Sequence, residues 1–169
     1  RIENEGNPWG VKFLRMFDMA NDSNLFLSEP GDNSLPLYEA KMIYNYDNRW
    51  ATYDSNKNCN NTTIQLKQDP SFYNSPRYWV DEQLVEERLH ATGWNHQWLM
   101  GWRDITNATN ERTAICSLIR KAGVGHTMPL IISDQSAQYL TCFLGNWNSL
   151  VFDFVTRNKV GGTHLTYFY

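Results

Sequence analysis

No stretch of this chain approaches the ~18 consecutive apolar residues that a membrane-crossing helix needs, so no membrane span is expected. Cysteine is scarce, with three in 169 residues: Cys59, Cys116 and Cys142. The count is odd, the spacing is wide, and no Cys-x-x-Cys or Cys/His cluster occurs, which leaves neither a zinc site nor a disulfide framework. The opening RIENEGNPWG is not a secretory signal, so three free thiols in a reducing, cytoplasmic setting are expected and the Asn-x-Ser/Thr triplets read as chance matches. Basic charge is not in excess either: Lys and Arg number 15 against 18 Asp and Glu, for a net charge of −3 and a pI of about 5.8. That weighs against a free-standing nucleic-acid binder and still permits a local basic face. Repeats and low-complexity segments are absent. So are a Gly-x-Ser-x-Gly elbow, a P-loop, a His-Glu-x-x-His pair and a clean dinucleotide fingerprint.

What the chain does have is length for one domain with a real core and many aromatics, 14% of residues with seven Trp. Residues 11–19 have the apolar density of a strand, followed by a polar loop. Residues 37–54 read as a strand pair turning at Asp47-Asn48, with Met42, Tyr44 and Tyr46 on one face. A short strand is predicted at 62–66 and another at 78–80. Asp81 caps a helix with Glu82 in its first turn, carrying Leu84, Val85 and Leu89 inward and stopping near Gly93. Strands follow through Gly101, over 112–121 and over 129–132. The middle one is apolar on both faces and is predicted to be central. From 136 onward the period becomes helical: Leu140, Phe143, Leu144 and Trp147 share a face that Leu150, Val151, Phe154 and Val155 continue. Gly145-Asn146 is the predicted break. The expectation is one α+β domain, a curved and mostly antiparallel sheet with two or three helices.

No catalytic or metal-ligating constellation is expected. His90, His96, His126 and His164 are scattered. Gly123-Val124-Gly125 is weak as a phosphate loop, and a plain turn is the simpler account. Asp104 reads as the ion-pair partner of Arg103 or Arg112, and Trp79, Trp98 and Trp147 as core. Basic residues are interleaved with aromatics: Lys41, Arg49 and Trp50; Arg77, Tyr78 and Trp79; Trp102, Arg103 and Arg112; Arg120 and Lys121; Arg157, Lys159, His164 and Tyr167. Such groups suit phosphates and guanine edges. A solvated face is the competing account for Arg112, Lys121, Arg157 and Lys159. A base-amino methyltransferase would need an Asn/Asp-Pro-Pro-Tyr/Phe tetrad and a Gly-rich cofactor loop. Asn7-Pro8-Trp9 comes nearest and lacks the second proline.

In order, PLYEAKMIYNYDNRWATY, PRYWVDEQLVEERL, WLMGWRDITNATNERTAICSLI, AGVGHTMPLI and LGNWNSLVFDFVTRNKVGGTHLTYFY resemble the C-terminal part of large bacterial adenine-specific DNA methyltransferases. These are the type IIG and type ISP restriction-modification enzymes and their phage-defence relatives. The likeness covers residues 35–169 and points to their target-recognition domain, with 1–34 as a strand and loop of the same unit and a fold similar to a type I specificity-subunit domain. It implies a fragment of a larger protein that reads double-stranded DNA. The S-adenosylmethionine chemistry would lie in a methyltransferase catalytic domain of the same parent chain, and the fragment itself would hold no cofactor. Docking within a defence complex is the alternative. DNA-binding candidates on this resemblance are Lys41, Arg49, Arg103, Arg112, Lys121, His126, Arg157, Lys159, Gly161, Gly162, Thr163 and His164. Gly161-Gly162 permits positive φ and a close backbone approach to a phosphate, with a plain chain reversal that packs the C-terminal helix onto the sheet as the competing account.

Overall fold

The computed structural model describes residues 9–166, so the N-terminal residues 1–8 and the aromatic end from Tyr167 lie outside the described residues. Thirteen regular elements follow one another among them: β1 (Lys12–Leu14), β2 (Ser34–Tyr38), β3 (Ala51–Tyr53), β4 (Cys59–Asn61), α1 (Ile64–Gln68), β5 (Trp79–Asp81), α2 (Glu82–His90), β6 (Trp98–Trp102), β7 (Cys116–Arg120), β8 (Gly123–Val124), β9 (Leu130–Ile132), α3 (Ala137–Trp147) and α4 (Leu150–Lys159). Short 3-10 turns cover Ser23–Leu25 and Ala40–Met42. The strands form three small sheets: β1-β9-β6-β7, β5-β2-β8 and the β3-β4 hairpin. All pairs of these strands are antiparallel except β2 with β8. The class is α+β and mostly antiparallel, as predicted, with four α-helices.

The four-stranded sheet is apolar because its strands are. Leu99, Met100 and Trp102 of β6 and Leu130 and Ile131 of β9 are buried, against Met16 and Phe17 from the chain after β1. Gly101 lets β6 and the segment before β9 come together: a Cβ there would lie 2.8 Å from Met128 Cε and 3.0 Å from the Pro129 carbonyl. Gly123 does the same for β8. A Cβ there would lie 2.5 Å from Val80 Cγ2, so the glycines of GVG serve close strand packing and the parallel pairing with Leu37 and Tyr38.

The α2 helix forms as its sequence dictates. The Asp81 side chain accepts the Gln83 N–H at 2.8 Å, Glu82 sits in the first turn, and Val85 and Leu89 are buried. The chain leaves the helix through Gly93 at φ +80°.

Several expectations fail for identifiable reasons. The strand predicted at 62–66 is α1, because Thr63 takes the cap and accepts the Leu66 N–H. In the 37–54 segment the reversal falls at Asn45-Tyr46, closed by the Tyr44–Asp47 bridge, with Tyr46 at φ +59°. Met42 is buried and Tyr46 exposed, so those residues share no strand face. The strand expected to be central, β7, is the sheet edge. Asn148 covers that edge, since its side chain accepts the Cys116 N–H at 3.0 Å and donates to the Cys116 carbonyl at 2.8 Å. The helical stretch breaks at Asn148-Ser149, where Ser149 Oγ accepts the Phe152 N–H and starts α4.

The largest departure concerns α4. Asp153, Thr156 and then Val160 turn inward, while Leu150, Val151, Phe154 and Val155 are 74%, 75%, 67% and 46% exposed. The polar stripe faces the body because Asp153 has partners there, as described below.

Candidate nucleic-acid interface

The arginines predicted to face a phosphate mostly hold backbone carbonyls. Arg49 donates to the carbonyls of Lys67, Asp69 and Phe72, pinning the loop after α1. Arg103 leaves the end of β6 and donates to the carbonyls of Ala40, Lys41 and Ile43. Burial lowers its pKa, and a guanidinium remains protonated there because its intrinsic value is so high. Arg112 donates to the Asn148 carbonyl at 2.6 Å, and Arg157 to those of Ala108 and Glu111.

Asp153 ties two of these together. One carboxylate oxygen accepts the N–H groups of Thr113 and Ala114, each at 2.8 Å. The other accepts from Arg157 at 3.1 Å. Arg112 Nε stands 3.3 Å away, an ion pair without hydrogen-bond alignment. Burial pushes this carboxyl up, yet the two N–H groups and two guanidinium groups outweigh it and its pKa is lowered.

Three further candidates are also engaged. Lys121 pairs with Glu86 at 2.8 Å and Glu82 at 3.0 Å, and these contacts raise its pKa. His126 Nδ1 accepts the Met19 N–H at 3.1 Å. Lys41 is exposed but lies 3.9 Å from Glu39 and 5.0 Å from the Tyr53 ring centre.

The C-terminal candidates differ. Lys159 is exposed and has no carboxylate partner among the described residues. In the segment after it, the Thr163 carbonyl accepts the Thr106 N–H, and Leu165 N–H donates to the Asp104 carbonyl. Among the described residues no acceptor takes the N–H groups of Gly161, Gly162, Thr163 or His164. Neither glycine has a positive φ, and no atom lies within 4 Å of where a Cβ would stand. The fold therefore has no packing or dihedral need for glycine there.

His164 Nδ1 lies 3.2 Å from Asp104 Oδ2, which also takes Arg15 at 3.1 Å. Asp104 thus pairs with Arg15 and not with Arg103 or Arg112. Its carboxylate is buried, with Oδ1 unpartnered, and it sets the His164 ring while leaving it largely exposed.

A feature that sequence reasoning missed is a cleft beside β2 and β5. Its lining includes Tyr38, Tyr73, Asn74, Trp79 and Arg120. Tyr73 and Asn74 lie in a polar loop and carry no pattern of their own. The alternation Arg77-Tyr78-Trp79 was the only local signal. Trp79, Trp98 and Trp147, predicted as core, are half-buried, whereas Trp94 and Trp102 are buried.

No known protein family matches this chain, and neither does any curated protein.

Proposed function

We propose that this chain is a DNA target-recognition module that acts beside an adenine-specific (N6) methyltransferase domain of the same parent protein, with S-adenosylmethionine bound in that other domain. One observation carries the DNA contact. Among the described residues, Gly161 to His164 present four consecutive N–H groups without an acceptor, in an exposed segment that follows the exposed Lys159 in sequence. Successive free amides beside a cation make a seat for phosphate oxygens. Two glycines the fold does not itself require allow a foreign backbone to come close. The oriented His164 ring is the side chain best placed to reach past the phosphates. The ordered motifs over 35–169 support duplex DNA as the partner.

The test is a fluorescence-anisotropy titration with pooled random duplexes at two salt concentrations. Binding weakens with salt, and Lys159→Ala lowers the salt slope by about one. Arg157→Ala is a poor probe because it also frees two carbonyls and Asp153. Salt-independent binding, or an unchanged slope in Lys159→Ala, rejects the reading.

A protein-docking module is the second reading, favoured by the outward apolar stripe of α4. An exposed apolar patch of this kind marks a protein contact more often than a bare surface. A module that docks a protein leaves the duplexes unbound at both salt concentrations, so the same titration separates the two.

A further inference from the structure

Two adjoining hollows lie beside β2 and β5. One is about 580 Å³ and the other about 370 Å³, and they share Tyr38, Tyr73, Asn74 and Arg120. The larger space alone suits a small organic ligand.

Its walls have a definite chemistry. Tyr38, Tyr73 and Trp79 line it. Tyr73 stands 63% exposed at the rim, with the Arg120 guanidinium 5.1 Å from its ring centre. Arg120 is exposed and has no carboxylate partner among the described residues. This distinguishes it from the arginines that hold carbonyls. Arg49, fixed by its three carbonyls, adds positive charge to the second chamber.

Asn74 lines both spaces and is held rigidly. Its Nδ2 donates to the Ala51 carbonyl at 2.6 Å and the Asn48 carbonyl at 3.3 Å, so the amide orientation is set. Its Oδ1 is buried with no hydrogen-bond partner. Burial raises the Tyr38 phenol to about 12, so it brings no negative charge to the cleft at neutral pH.

Aromatic walls and a guanidinium without a carboxylate partner among the described residues together favour a planar aromatic ring that carries an anionic group. We propose that this cleft binds a nucleotide, the base against Tyr73 and Trp79 and the phosphate on Arg120. The cleft shares no residue with the 159–164 segment, so the inference stands whether or not that segment takes DNA. A free mononucleotide and an unpaired nucleotide of a strand present the same chemistry.

The test is calorimetric titration of the whole chain with adenosine, guanosine, cytidine and uridine monophosphates, the matching nucleosides, short single-stranded oligonucleotides, and indole-3-acetate. At least one monophosphate or oligonucleotide binds with a Kd of about 1 mM or tighter. Arg120→Ala weakens that binding by about tenfold and leaves the matching nucleoside unchanged, whereas Tyr73→Ala weakens both. Both side chains are exposed, and unchanged melting temperatures confirm that the variants fold. If oligonucleotides bind more tightly than every monophosphate and the Arg120→Ala loss persists, the nucleotide comes from a strand; the reverse order identifies the free nucleotide. No binding of any nucleotide, binding indifferent to both variants, or indole-3-acetate binding more tightly than all of them overturns the proposal.

Discussion

Removing the Asp153 carboxylate tests the account of why α4 turns its polar side inward. Its side chain is 7% exposed and neutralises Arg112 and Arg157 while accepting the Thr113 and Ala114 N–H groups. Those two residues are fully buried, and Arg112 is largely so. Asp153→Ala strands two buried donors and leaves a mostly buried guanidinium without its counter-charge. Breaking such a network costs about 3–5 kcal/mol. Asp153→Asn keeps an acceptor and loses the charge, so it costs about half as much. The assay is urea unfolding at neutral pH with the slope held common to all variants. The pH dependence gives a second check. Because the folded pKa lies below the unfolded value, the stabilisation is fully present above the ordinary carboxylate range and is lost as pH falls through the folded pKa. The gap between wild type and Asp153→Asn therefore closes only in acid, below pH ~4. A loss under ~1 kcal/mol for Asp153→Ala, within the range of an ordinary substitution, refutes the reasoning, as does a gap that ignores pH.

Three further outcomes follow from the packing. Gly123→Ala places a methyl group against the stiff Val80 side chain and lowers stability by about 1–3 kcal/mol, read by the same unfolding assay; an unchanged midpoint contradicts the close β8 approach. Val151→Glu with Phe154→Glu leaves stability within about 0.5 kcal/mol per site, because both side chains already face solvent. A collapse of the fold in that double variant means the stripe is core after all. A thiol-reactive dye labels Cys142 first and Cys59 more slowly, while Cys116, buried and with its thiol pKa raised by that burial, reacts only on unfolding.

Local chemistry made some elements legible in the sequence. The α2 cap at Asp81 needs only the next few residues, and the β6 and β9 runs are apolar enough to be core strands wherever they pair. Other features depended on distant partners. The carbonyls that Arg49, Arg103, Arg112 and Arg157 hold lie 18 to 63 residues away in the chain, and a backbone carbonyl has no residue-type signature. Basic residues beside aromatics therefore looked like a binding face where the fold uses them as internal staples. Residues 112–121 looked like a central strand because both faces are mostly apolar. Periodicity reports burial of side chains and says nothing of whether a side-chain amide, here Asn148, occupies the missing strand's place.

By itself the sequence determined the α+β class, the position of the α2 cap, the absence of a long apolar helix and the concentration of Lys159, the paired glycines, Thr163 and His164 near one end. Each of these rests on composition or on interactions within a few residues. Only the tertiary structure decided which cations remain unpaired, which side of α4 faces out, and that Tyr38, Tyr73, Asn74, Trp79 and Arg120 share a cleft. The reason is that burial and pairing are properties of three-dimensional neighbours. Asp153 faces the interior because, across forty residues of chain, it meets two buried N–H groups and two guanidinium groups, a network that costs about 3–5 kcal/mol to break once formed.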